Sequence, residues 1–307
     1  TALVEKMFKS ILRSSLKRVK YEFESRTALP ENNPIIVYSM RKVGSTTLTS
    51  ALRGAGHRVY KQHCVDYSLN AELSLALERT GLTPQHWLTD GLRFRGRLEK
   101  WRARANRAHK DSRLKIFSFV RDPLAVALSD YFMQLNEFMP KVMVSKGLDS
   151  VEKLGLYFET VLHAALECNA RDPVTGFLAN LSALPNIWFD REMKSVTGVD
   201  VLDMPFRIDR GYSIYHGHDS DIVLIRTDKL SEVALESIAE LIGKQLSRIS
   251  EKNVGSKTAQ GELYRALVST IRLPKTLVDE FYSQPWLTHF FSEPEIENMK
   301  AKWYRPK

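Results

Sequence analysis

Apolar positions recur along this chain in two different rhythms. In residues 1–26, Leu3, Val4, Met7, Phe8, Ile11, Leu12, Leu16 and Val19 return at helical spacing. Lys6, Lys9, Arg13, Lys17, Arg18 and Lys20 fill most of the gaps, which predicts a basic amphipathic helix. Pro30 to Pro34 breaks that pattern. Ile35-Ile36-Val37-Tyr38-Ser39 is then a short β-rich run, and it predicts a buried strand. Residues 58–61, 115–120 and 221–226 predict three more. Helices are expected over 46–53, most of 71–110, 151–168 and 230–249. Another starts at Asp122-Pro123, a cap residue followed by proline at the first helical position. Strands separated by helices predict an α/β fold, a parallel sheet flanked by helices. We divide the chain into an N-terminal helix, 1–30, and a single α/β domain, 31–307, a size that one such domain can fill.

Composition adds a preference for anionic partners. Lysine and arginine outnumber acidic residues to leave a net charge of +9 over 307 residues. Such a surface suits nucleic acid, lipid headgroups, acidic glycans or a polyphosphorylated cofactor. No recognised nucleic-acid-binding motif accompanies the charge, so nucleic acid is not expected. Two cysteines, Cys64 and Cys168, exclude a disulfide framework, and no Cys/His spacing suggests zinc. No apolar run reaches the roughly 18 residues of a membrane span. Residues 1–26 could lie on an anionic membrane or pack on the domain; both readings stay open. The basic stretch 93–113 could attract an anionic glycan or form a solvated helix face. A cytoplasmic location is expected, with membrane association left open. The chain begins at Thr1 rather than Met, so a Golgi-lumen location after loss of an anchor also stays open, and Asn180-Leu181-Ser182 is a glycosylation triplet by pattern.

The richest chemistry follows the first strand, in residues 35–48. Arg41-Lys42-Val43-Gly44-Ser45-Thr46-Thr47 is a turn feeding a helix. Unpaired N–H groups and the helix dipole make such a turn an anion site. Gly44 allows close approach, Ser45, Thr46 and Thr47 supply hydroxyls, and Lys42 supplies charge. Arg41 either assists or faces solvent. The lysine lies two residues before the only glycine, so this is not the GxxxxGK[ST] loop of ATP kinases. The third strand ends in a second anion motif. Arg121 stands at its carboxyl end, and Ser129 follows eight residues later, about two helical turns on. A guanidinium and a hydroxyl together make a phosphate clamp.

These two motifs resemble those of the sulfotransferases that use 3′-phosphoadenosine 5′-phosphosulfate. Lys42-Val43-Gly44-Ser45-Thr46 is similar to the family's K-[ST]-G-[ST]-T loop, with Val43 in place of a hydroxyl residue. Arg121-Asp122-Pro123 through Ser129 is similar to its R-[ND]-P-x-x-x-x-x-S segment. Leu224-Ile225-Arg226-Thr227-Asp228-Lys229-Leu230 resembles a later strand-end pattern. Lys252 through Lys257 resembles a loop that closes over the nucleotide, which would add Ser256 and Lys257 to the contacts. Phe290-Phe291-Ser292 and Lys302-Trp303-Tyr304 resemble a bacterial branch described as capsular polysaccharide synthesis proteins.

The resemblance implies a sulfotransferase-type P-loop-like domain and a carbohydrate acceptor. It implies that the loop 41–47 holds the 5′-phosphosulfate, that Lys42 neutralises the leaving phosphate, and that Arg121 and Ser129 hold the 3′-phosphate. No metal is required. An acceptor hydroxyl also needs a general base. His63, just past the second strand, is the candidate, with His57, Asp66 and His86 in reserve. Thr47 and Leu48 stand where some members stack adenine on a tryptophan. His216 and His218 could mimic a metal pair, and a loop is the preferred reading. The alternatives are a kinase-like phosphotransferase and a non-catalytic glycan- or membrane-binding relative.

Overall fold

A computed structural model of the protein describes residues 34–82, 85–105, 113–246 and 259–304. The amphipathic helix expected over 1–26, and Ser256 and Lys257, lie outside the described residues.

Five strands form one sheet in the order β2-β1-β3-β5-β4. They are β1 (Ile35–Tyr38), β2 (Val59–Gln62), β3 (Leu114–Val120), β4 (Tyr212–His216) and β5 (Ser220–Arg226). β1 pairs in parallel with both β2 and β3, and β3 in parallel with β5. Every residue of β1 and β5 is buried. Helices cover the sheet, so its central strands read as unbroken apolar runs rather than alternating ones.

β4 corrects the expectation of a wholly parallel sheet, because it runs antiparallel to β5 at the edge. The turn joining them holds Gly217, where a Cβ would come 2.4 Å from Val199 Cγ2. The loop preferred for Tyr215-His216-Gly217-His218 is therefore the end of a strand and a tight turn. His216 Nδ1 lies 2.7 Å from Asp221 Oδ1, which pairs it within the hairpin.

Twelve helices are used below: α1 (Ser45–Gly54), α2 (Tyr67–Glu78), α3 (His86–Ala105), α4 (Pro123–Met133), α5 (Pro140–Ser145), α6 (Val151–Glu167), α7 (Pro173–Trp188), α8 (Leu230–Ile242), α9 (Ala259–Thr270), α10 (Lys275–Phe281), α11 (Pro285–Phe290) and α12 (Glu293–Ala301). The helical stretch expected over 71–110 is two helices, α2 and α3, parted by a turn at Gly81. The helix expected to reach residue 249 stops at Ile242, where Gly243 adopts the left-handed conformation that ends helices. α7 runs on into a π-helical turn, Phe189–Lys194. The triplet at Asn180 lies inside α7, and its Ser182 is buried.

This connectivity places the site. From β1 the chain moves outward through α1 to β2. It then returns past β1, by way of α2 and α3, to reach β3. The direction reverses between β1 and β3, and open α/β sheets bind ligands in the crevice at that reversal, beyond the carboxyl ends of the strands. The loop after β1 and the cap residues after β3 both emerge there.

Candidate functional site

The loop after β1 is shaped by two left-handed residues. Lys42 has φ 61° and Gly44 has φ 83°. A Cβ on Gly44 would press on Leu230 Cδ2 at 3.3 Å and Thr227 Cγ2 at 3.5 Å, so the loop lies close against the start of α8. Thr227 Oγ1 donates to the Val43 carbonyl at 3.0 Å, which secures the turn from that side. Gly44 caps α1 without any side-chain hydrogen bond, and the first turn of α1 holds no acidic residue. The helix N-terminus thus keeps its positive character.

The second motif meets this loop directly. Arg121 Nη1 donates to the Lys42 carbonyl. Lys42 Nζ contacts Met133 Sδ at 3.6 Å, and Met133 lies one turn beyond Ser129 on α4. Ser129 is nearly buried, and its hydroxyl has no side-chain partner among the described residues. Burial pulls the Lys42 ammonium below its usual pKa, with Arg41 and Arg121 adding to the shift and Asp130 opposing it. A cation held in this way gains from a bound anion.

Arg41 does not face solvent. Its Nε donates to Asp130 Oδ1 at 3.0 Å, and its guanidinium lies 4.3 Å from the centre of the Trp87 ring. It is buried and braces the loop against α4 and α3. The side chains of Val43 and Ser45 are buried too.

Lys61, on β2, is a cation that motif reading passed over. Its Nζ donates to Thr46 Oγ1 at 2.7 Å. Burial lowers its pKa to about 8, and the neighbouring charges of Lys42, Arg53 and Arg41 act in the same direction. The β1–β2 register, Val37 opposite Lys61, brings it beside the loop. Only strand pairing reveals this, since Lys61 lies 19 residues from Lys42 in the chain.

His63 follows two residues later, half-buried. Its Nδ1 lies 2.8 Å from the Ser39 carbonyl, which can only accept, so Nδ1 carries the proton and Nε2 the lone pair. Burial and the charge of Lys61 lower its pKa to about 3. The ring is neutral at physiological pH and oriented by backbone. His57 precedes β2, at the opposite end of that strand from His63. Asp66 caps α2 and also binds Ser68 and Ser195. The side chain of His86 lies outside the described residues.

Three arginines of the basic stretch after residue 92 are paired within the fold. Arg102 pairs with Asp219, Arg113 with Asp221, and Arg95 with Asp66 and Glu99. Arg226, in the later strand-end pattern, is 1% exposed and bonded to Asp228 and Glu295.

Residues 175–292 match a family model described as "Putative capsular polysaccharide synthesis protein". The match covers less than half of the chain, and the loop 41–47, His63, Arg121 and Ser129 all lie outside it. No curated protein and no solved structure matches the chain.

Proposed function

We propose that this protein is a sulfotransferase that moves a sulfuryl group from 3′-phosphoadenosine 5′-phosphosulfate to a carbohydrate hydroxyl in the making of a surface polysaccharide. The observation that carries the reading is the meeting of the two anion motifs, Arg121 on the Lys42 carbonyl and Lys42 against the face of α4 that bears Ser129. The N-terminus of α1, with no acidic residue in its first turn, and the Ser129 hydroxyl are donors of the kind that two phosphates require. The matched family's description supports the polysaccharide acceptor.

In this reaction the acceptor oxygen attacks sulfur as the bond from sulfur to the 5′-phosphate oxygen breaks. The hydroxyl proton passes to His63 Nε2, and the nucleotide leaves as adenosine 3′,5′-bisphosphate. Lys42, Lys61 and the N–H groups of α1 offset the charge that grows on the leaving phosphate. His63 is in the protonation state that a base needs. Burial is the largest cause of its low pKa, and bound anions would offset the part due to Lys61 and Arg41.

Thermal shift separates this reading from kinase chemistry. Adenosine 3′,5′-bisphosphate should stabilise the protein, and Lys42→Ala should weaken that effect and cut transfer by about 100-fold or more. Stabilisation by magnesium and ATP, with none by the bisphosphate, would overturn the assignment.

A further inference from the structure

One fully buried carboxylate has no part in this chemistry. Glu192 is 0% exposed, on the π-helical turn that follows α7. Asp190, Arg191 and Glu192 are three consecutive charged residues. The wider spacing of a π turn turns Phe189, Glu192 and Met193 inward together.

The carboxylate collects donors from the sheet edge. Tyr38 Oη donates to Oε2. The N–H of Val65 donates at 3.0 Å and that of Asp66 at 3.1 Å. These partners are the last residue of β1 and two of the three residues that follow His63. Trp188 Nε1, one helical turn before Glu192, donates to the His63 carbonyl at 3.4 Å. The matched segment 175–292 thus contains the side chains that hold the turn carrying His63, although His63 lies outside it.

None of these three donors is a cation, and burial raises the pKa of the Glu192 carboxyl. Burying a carboxylate without a counter-charge is costly, and a well-packed apolar residue would serve stability as well or better. A carboxylate offers something an apolar residue or glutamine does not. Its two oxygens accept from Tyr38 Oη and from the N–H groups of Val65 and Asp66 at once. That fixes the backbone of the turn to the end of β1. The Ser39 carbonyl that orients the imidazole is the next residue after Tyr38, so both anchors of His63 are tied to one short segment.

We propose that Glu192 is a positioning residue for His63: its carboxylate fastens the turn 63–66 to β1 and so sets where the imidazole stands relative to Lys42 and Lys61. Its effect on turnover rests on the sulfotransferase reading, while its effect on the imidazole does not.

The test follows the His63 ring nitrogens by NMR, together with turnover and bisphosphate affinity, in Glu192→Gln and Tyr38→Phe. Wild type should show one tautomer, protonated at Nδ1. Folded Glu192→Gln should show a mixture of tautomers. Its turnover should fall by about 10–100-fold, the scale of a 1 Å misplacement. Bisphosphate affinity should change by less than about twofold, because Arg121 and the loop 41–47 do not touch Glu192 and sites without shared partners act independently. Tyr38→Phe removes one donor and keeps the ring packed, so it should move the same readouts less, and it decides the matter if Glu192→Gln does not fold. A wild-type imidazole spectrum in the folded variant would overturn the positioning role. If wild-type protein transfers no sulfuryl group, the sulfotransferase reading fails, and the imidazole spectrum still decides the role of Glu192.

Discussion

Lys42 holds a left-handed backbone at φ 61°, a conformation that costs a non-glycine residue on the order of 1–3 kcal/mol. The surrounding contacts maintain it: Arg121 on its carbonyl, Met133 against its ammonium, and Thr227 on the next carbonyl. His63 bears a different penalty, since its folded pKa of about 3 lies well below the 6.5 of a free imidazole. Between those values the unfolded chain binds a proton that the folded one refuses. The penalty is therefore absent above about pH 6.5 and grows as pH falls toward 3, so stability declines through that window. His57 and His289 are shifted in the same direction, so only a comparison isolates His63. Melting temperature should fall more between pH 7 and pH 5 in wild type than in His63→Gln. Equal falls would mean that the imidazole titrates freely. Bound bisphosphate should raise the His63 pKa in an NMR titration, because it offsets Lys61 and Arg41.

Among the elements, α3 governs how closely the His63 turn can approach the sheet. Gly91 allows the contact: a Cβ there would sit 2.0 Å from the Cys64 carbonyl oxygen and 3.0 Å from Asn70 Nδ2. Gly91→Ala must shift backbone rather than a flexible side chain. It should cost on the order of 1–3 kcal/mol, readable in urea denaturation. Its effect should centre on residues 63–70 in amide exchange, and an unchanged denaturation midpoint would refute the close contact. Nothing in the sequence around Gly91 announces this, because glycine inside a helix has no periodic signature and its neighbour lies 27 residues away. The same limit separates what could be read from what could not. The apolar runs of β1, β3 and β5 were legible because both their faces are buried. β4 was missed because an edge strand mixes buried Tyr212 and Tyr215 with exposed His216, and its neighbour Gly217 reads as a loop. The loop 41–47 and the Arg121–Ser129 interval are local patterns, so they could be read. Lys61 and Glu192 act through strand register and a π turn, and no spacing along the chain encodes those.

Across the whole molecule, downstream segments hold both the loop 41–47 and the start of α4. Asp122 caps α4 through the N–H groups of Leu124 and Ala125, and it also accepts from Tyr282 Oη at 2.6 Å and Trp303 Nε1 at 3.2 Å. Arg226 closes the neighbouring strand end onto Glu295 of α12 and lies 4.6 Å from the centre of the Phe291 ring. Thr227, the next residue, reaches the Val43 carbonyl. Each motif is therefore held by a segment more than 100 residues downstream, and the tail should influence anion binding without touching the anion. Tyr282→Phe tests this cleanly, because the ring stays and only the hydrogen bond to Asp122 is lost. A hydrogen bond to a charged group contributes about 1.5–3 kcal/mol, so the variant should remain folded with stability lowered by that amount. If Asp122 orients Arg121, isothermal titration should also show bisphosphate binding several-fold more weakly. A variant of equal instability made far from the site, such as Leu241→Ala in α8, serves as the control. It should bind the bisphosphate as wild type does, since a folded protein that has lost only global stability keeps its site. Equal affinities in the two variants would mean that the tail supports the fold alone.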